Sequence, residues 1–224
     1  KPKFTHLHVH SHFSLLDGLA KIDQLIKRAK ELKMDSLALT DHGALYGAIE
    51  FYKKAKEAGI KPIIGAELYI APEGRFFKRP NIDRERWHIV VLAKNKTGYQ
   101  NLIQLVTKSH LEGFYYKPRV DKGLLREHRD GLIGTSACLR GEISQTILAG
   151  NIDKAEKIAL DYSDIFGPGN FYLEIMPHYN LEWQKGVNNA LKEISKRTGI
   201  PLVATNDIHY IYPNDAEAQE VLMC

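Results

Sequence analysis

Seven times along its 224 residues this chain passes from a short apolar or alternating stretch to a polar loop or a segment with helical spacing. The strand-type stretches are Phe4–His10, Ser36–Thr40, Lys61–Ala66 with an extension through Leu68–Ala71, Trp87–Ala93, Gly131–Ser136, Phe171–Met176 and Pro201–Thr205. Helical spacing appears over Lys21–Lys33, Ala44–Ala58, Thr97–His110, Lys122–His128, Gly141–Ala149, Ile152–Phe166 and Leu181–Arg197, with a last helix expected after Pro213. Pro72–Arg86, with two prolines, a glycine and five Arg/Lys, reads as a surface loop, and Leu111–Asp121 as an ordered loop. Such alternation argues for a parallel sheet. The expected fold is α/β, a seven-stranded (βα)7 TIM-like barrel, and with no linker or repeat in sight residues 1–224 form one domain.

The barrel is preferred to an open sheet because of what lies at the strand ends. His6, His8, His10 and His12 occupy every second position in FTHLHVHSHFSLLDG. On extended backbone alternate side chains share a face, and neutral imidazole is the commonest metal ligand. A solvated, histidine-rich edge strand is the plain alternative, and His6 and His12 are assigned outside the ligand set. Asp17 follows in the next loop. The later strand ends supply Thr40-Asp41-His42-Gly43, Gly65-Ala66-Glu67, Ser136-Ala137-Cys138 and Asn206-Asp207-Ile208-His209, whereas His88 sits at the start of its strand. The sixth strand offers only Glu174 within it and His178 just beyond.

Singly, each of these residues reads as a cap, a turn or a small buried group. Together, five His, three carboxylates and a Cys on one rim would leave buried polar groups unpaired unless cations join them. Nine ligands exceed the needs of one ion, so two or three divalent ions are implied.

HLHVHSHFSLLDG, LTDHG, GAELY, HIVVLAKNKTGYQNL and ATNDIHY, in that order, resemble the PHP (polymerase and histidinol phosphatase) family, and its polymerase branch most closely. The resemblance covers essentially the whole chain. It implies a distorted (βα)7 barrel with a trinuclear metal cluster. By that pattern His8, His10 and Asp207 would hold the first ion, with Glu67 bridging to a second held by His88 and Cys138. Asp17, His42 and His209 would hold the third. Glu67, Asp207 and His209 are then the catalytic candidates. A Cys where the wider family often has His favours zinc, with manganese or iron tolerated.

The activity implied is phosphodiester hydrolysis, as 3′–5′ proofreading on single-stranded or mismatched DNA ends. The implied partners are DNA, the remainder of a polymerase chain and a separate proofreading exonuclease subunit. Arg119, Lys117, Arg140 and His178 are candidate substrate contacts, because cations near Tyr115 and Tyr116 suit a single strand. Trp87 and Trp183 read as core. The net charge of +4 permits a polyanionic partner without requiring one. With two cysteines, no secretion signal and no long apolar run, a cytoplasmic, non-membrane protein is expected. The chain ends in mid-helix, which suggests a piece cut from a longer protein. Two alternatives stay open: a free-standing phosphatase for a small monoester such as histidinol phosphate, and a metal-stabilised structural module without turnover.

Overall fold

The computed structural model describes residues 4–178 and 180–224. After an extended N-terminal stretch the elements run α1 (Ile22–Glu31), β1 (Ser36–Leu39), α2 (Ala48–Glu57), β2 (Lys61–Ile70), β3 (Trp87–Ala93) and α3 (Lys96–Leu111). They continue with β4 (Arg119–Val120), α4 (Lys122–Glu127), β5 (Leu132–Thr135), α5 (Glu142–Leu148), α6 (Ile152–Phe166), β6 (Phe171–Ile175), α7 (Glu182–Thr198), β7 (Leu202–Ala204) and α8 (Ala216–Met223). Helix starts follow local chemistry. The Asn95 side chain accepts the Gly98 N–H at 2.9 Å and the Asp121 carboxylate accepts the Leu124 N–H at 2.8 Å, each satisfying a donor that the helix leaves free.

The strands form one curled sheet in the order β1-β2-β3-β5-β6-β7, with β4 beside β2. Neighbours are parallel except at β3, which is antiparallel to both β2 and β5. This corrects the all-parallel expectation. A parallel return needs a crossover, ordinarily a helix, and the residues between Ile70 and Trp87 contain none, so the chain turns straight back.

The first expected strand is not a regular one, since only Val9 forms a bridge, to Ile208. It nevertheless does a strand's work. Ala38 and Thr40 donate to the His6 and Val9 carbonyls on one side, while His10 donates to Ile208 and Ile208 to His8 on the other. The stretch thus lies between β1 and the chain beyond β7 and closes the sheet into a distorted barrel.

Period-2 burial divides each strand. On β3, Ile89 and Val91 pack among the helices, with Ala66, Leu68 and Ile70 of β2. The alternate residues Val90 and Leu92 join Ala38 and Ala137, with Leu7, Ile63 and Ile133 against them, in a small apolar plug. His88 continues that second row beyond Val90, and Val90 pairs with Glu67 across the β2–β3 ladder. The same row is therefore apolar within the barrel and ligand-bearing at its mouth. Trp183 departs from expectation: placed in the first turn of α7, it is 70% exposed, while Trp87 is half-buried against the main cluster.

Candidate metal centre

The other eight predicted ligands gather about Glu67, which is buried. His8 Nε2 lies 3.5 Å from Glu67 Oε1 and 3.2 Å from Asp207 Oδ1, and His10 Nε2 lies 3.5 Å from Glu67 Oε2 and 3.3 Å from Asp207 Oδ1. His42 stands between two carboxylates, with Nε2 2.8 Å from Asp17 Oδ2 and Nδ1 2.6 Å from Glu67 Oε2. His88 Nδ1 is 2.6 Å from Glu67 Oε1, and the Cys138 sulfur is 3.9 Å from that oxygen and 3.8 Å from that nitrogen. His209 stacks on His10 with ring centroids 4.3 Å apart and brings Nε2 to 4.0 Å from Asp17 Oδ2.

Backbone pairing at the barrel mouth assembles these side chains. The Val9–Ile208 bridge sets His8 and His10 beside Asp207 and His209, and a His42–Glu67 bridge joins the chain just beyond β1 to the second half of β2. His88 comes to the same rim from the start of its strand because β3 runs backwards. Gly18 packs so tightly on the preceding loop that a Cβ there would stand 1.9 Å from the Ser11 carbonyl oxygen, which accounts for glycine following Asp17. Asp207 and Ala137, the residue before Cys138, both take left-handed backbone (φ +48° and +57°). Residues other than glycine rarely adopt this conformation, which is concentrated at functional sites.

Hydrogen bonds join His88 Nδ1 to Glu67 Oε1 and His42 Nε2 to Asp17 Oδ2, but they leave much of the centre unsatisfied. Among the described residues, His8 Nε2, His10 Nε2, Asp17 Oδ1, His42 Nδ1, Glu67 Oε2 and Asp207 Oδ1 are buried side-chain atoms with no partner, although several stand within 3.5 Å of one another. Three overlapping groups bring their ligand atoms within 4.8 Å: His8, His10 and Asp207; His42, Glu67 and His88; His10, His42 and His209. Nitrogen and oxygen atoms crowded at such distances without aligned hydrogens fit shared cations.

Two of the histidines, His8 and His10, are also turned so that Nε2 faces the centre. His8 Nδ1 meets Glu174 Oε1 at 2.7 Å, which leaves Nε2 facing the centre. Glu174 is itself held by Thr135, Thr205 and, through its backbone N–H, Ser136. For His10, Ser14 has one hydroxyl proton and donates it to Asp41 at 2.7 Å, so at 2.9 Å it accepts from the His10 Nδ1–H. His10 Nε2 is therefore unprotonated. The sequence reading left Glu174 without a role; its signal was a carboxylate in the middle of the apolar run FYLEIM, which cannot be buried without a partner.

Burial opposes charge on His42, yet Glu67 and Asp17 overcome it and push its pKa up to about 10. His8 is likewise raised despite burial, by Asp207 and Glu174. Burial also disfavours the Glu67 charge, but His88 and His42 outweigh it and hold the carboxylate well below its usual range. Burial and then Glu67 push the Cys138 thiol up, whereas burial lowers His10 to about 4. In metal-free protein His42, His8 and Cys138 thus carry protons at pH 7, and a cation must displace them. Metal loading should therefore release more than one proton at pH 7. Apparent affinity should rise with pH, by up to about tenfold per unit for each proton displaced. Calorimetry in buffers of different ionisation heat measures that number, and zero net release would contradict the charge pattern.

A cavity of about 650 Å³ opens over the centre, and its lining includes Lys117, Arg140 and His178. Three of the four expected substrate contacts are thus at its wall. Arg119 is not, and this corrects the sequence reading. It is fully buried, donating Nε to the Gly113 carbonyl, Nη1 to that of Asp83 and Nη2 to those of Arg75 and Phe77. Its charge ties the 72–86 loop to the barrel and is not offered to a ligand. Within that loop Arg75 and Arg79 are paired with carboxylates, whereas Arg86 reaches the cavity wall. Tyr69, also on the wall, has its phenol pushed well up by burial and the Glu67 charge, so it remains an O–H donor.

The PHP domain model matches residues 6–178. Relatives of similar sequence include DNA polymerase III subunit alpha of Thermus aquaticus, 50% identical over 227 residues, and that of Borreliella burgdorferi, 48% identical over 225. Each match takes in 100% of this chain but only 18% and 19% of the respective relative. Among solved structures, a Bifidobacterium adolescentis protein assigned as a metal-dependent phosphoesterase superposes with a TM-score of 0.60 at 12% identity, over 95% of this chain and 90% of that one. An amidohydrolase from Chromobacterium violaceum gives 0.53 at 15% identity, over 97% and 96%. Both likenesses show the fold.

Proposed function

This chain belongs to the PHP domain family, and we propose that it is the metal-dependent phosphoesterase domain of a bacterial DNA polymerase III alpha subunit, removing nucleotides from single-stranded or mismatched DNA 3′ ends. The six buried, unpartnered ligand atoms around Glu67 carry this reading. The relatives, all much longer than this chain, support the polymerase context. The remainder of that polymerase, DNA and a separate proofreading exonuclease subunit are the proposed partners.

His8, His10 and Asp207 would hold one divalent ion, Glu67, His88 and Cys138 a second, and Asp17, His42 and His209 a third. The thiolate among imidazoles and carboxylates favours zinc, with manganese or iron as substitutes. Bound there, such ions supply Lewis-acid stabilisation of the charge on a reacting phosphoryl group and a more acidic water. The chain's own groups bind and orient the ester. Arg86, Lys117 and Arg140 attract its non-bridging oxygens from the cavity wall, and Tyr69 donates its phenolic proton in a hydrogen bond. Glu174 and Ser14 keep the His8 and His10 rings turned so that Nε2 faces inward.

The test combines metal analysis with hydrolysis of 3′-labelled single-stranded and mismatched DNA, run beside histidinol phosphate and nitrophenyl phosphate. Release of 3′ nucleotides by metal-loaded protein is expected. Turnover of the monoesters alone would make the domain a small-molecule phosphatase. Full metal content with neither activity would leave a structural module and overturn the hydrolase reading.

A further inference from the structure

A second space lies beside the cavity over the centre. Arg86, His88 and Arg140 border both, so the two are contiguous. It is a groove of about 330 Å³, with Arg84, Glu85 and Gln145 also on its wall. The His88 N–H donates to the Arg140 carbonyl at 3.0 Å, which brings the turn after Cys138 up to the start of β3. The cations here differ from their neighbours in the same loop. Arg75 and Arg79 are matched with carboxylates, whereas Arg84, Arg86 and Arg140 have no carboxylate partner among the described residues. Three guanidinium groups thus share the wall with one carboxylate, Glu85. Arg84 also donates to the Tyr116 hydroxyl and lies over that ring, its Cζ 4.4 Å from the centroid. Both side chains are exposed, Tyr116 by 55%. Tyr116 takes left-handed backbone (φ +60°), which bulky side chains avoid and which gathers at functional sites.

We propose that this groove holds the DNA strand on the 5′ side of the scissile bond, with Arg84, Arg86 and Arg140 taking the next phosphate and the Arg84–Tyr116 pair stacking its base. Unstacked bases lie on aromatic rings and on guanidinium planes, and cations beside them track the backbone. Phosphate count gives the direction. The nucleotide to be removed ends in a free 3′-hydroxyl and has no phosphate beyond the scissile one. The strand that stays carries one phosphate per nucleotide. A second cationic groove contiguous with the centre therefore serves the retained strand. A small phosphomonoester reaches only the centre, so the groove selects for oligonucleotides. This inference rests on the nucleotide-removing reading above and deepens it by assigning the groups that tell a strand from a lone phosphate.

Equilibrium binding to the intact protein tests it, at several salt concentrations and with metal withheld so that no probe is hydrolysed. The probes are the thymidine dinucleotide TpT, the trinucleotide TpTpT, and TpTpT with an uncharged methylphosphonate at its 5′ linkage. TpT supplies the scissile linkage alone. TpTpT should bind roughly 3–10-fold more tightly. Its affinity should also fall more steeply with salt, by about 0.7 in the slope of log K against log salt, the value for one phosphate of a single strand. The methylphosphonate should lose that extra slope. Arg84→Gln should cancel most of the gain of TpTpT over TpT and flatten its salt dependence. Tyr116→Asn, which tolerates left-handed backbone, should weaken TpTpT about 5-fold or more with the slope kept, and serves as an independent second variant. Equal binding of TpT and TpTpT, a methylphosphonate that behaves like the phosphodiester, or equal weakening of both probes by Arg84→Gln overturns the groove. A protein that binds TpTpT through Arg84 but shortens no DNA upholds the groove and refutes the exonuclease. One that shortens DNA while both variants bind TpTpT as wild type does the reverse.

Discussion

Glu67→Ala is expected to abolish metal loading and phosphoester hydrolysis together, with the rate falling by more than about 100-fold. Residues that only orient a metal ligand typically cost 10–100-fold when removed, and Glu67 lies at the centre of the candidate ligands. Its two oxygens stand within 3.5 Å of nitrogens on His8, His10, His42 and His88. Among the described residues no other side chain stands this close to so many of them. Without it, His88 loses its carboxylate partner, His8, His10 and His42 keep only Asp207 or Asp17 beside them at the centre, and the proposed second ion would lose a ligand. Asp207→Asn should act in the same direction, since its Oδ1 faces both His8 and His10. Elemental analysis beside release of label from DNA 3′ ends measures both quantities. Wild-type metal content with a wild-type rate in either variant would sink the assignment of the centre.

Arg119→Met should leave the chemistry of the centre alone and strike at the fold. The guanidinium is fully buried and serves four backbone carbonyls, three of them in the 72–86 loop. An apolar side chain there would orphan several acceptors at about 1–3 kcal/mol each, partly relieved by movement of the loop. The expected loss is roughly 3–5 kcal/mol, or about 6–20 °C in Tm for a protein of this size. Thermal denaturation reads this directly. A variant that melts normally but binds DNA more weakly would return Arg119 to the role its sequence context suggested. The contrast with Arg140 is informative, because Arg140 lines the cavity and its loss should alter substrate binding with little change in Tm.

His88 shows how position in the sequence and position in space part company. It looked misplaced because ligands of a parallel barrel gather at the ends of strands, and His88 opens its strand. Once β3 is known to run against β2 and β5, the beginning of β3 is at the ligand-bearing rim. Arg119 and Trp183 fail for a related reason. Composition marks a cation beside tyrosines as a nucleic-acid contact and a tryptophan as core. Whether each faces the barrel or the solvent depends on how the loop and the α7 terminus pack, which nothing local encodes. Glu174 lay in plain view, but its value depends on His8, which stands 166 positions earlier in the chain.

The amino-acid order alone determined which residue types were available and with what spacing. Alternating apolar and helical periods define the α/β units. Histidines two apart on extended backbone point the same way, and five His, three carboxylates and a Cys expected on one rim pointed to shared cations. Tertiary structure alone decided strand direction, the stapling role of Arg119 and the Glu174 support beneath His8. Local periodicity is imposed by backbone geometry within a few residues. Hydrogen-bond partners are chosen by distance in space, and only the closed barrel brings residue 8 to residue 207.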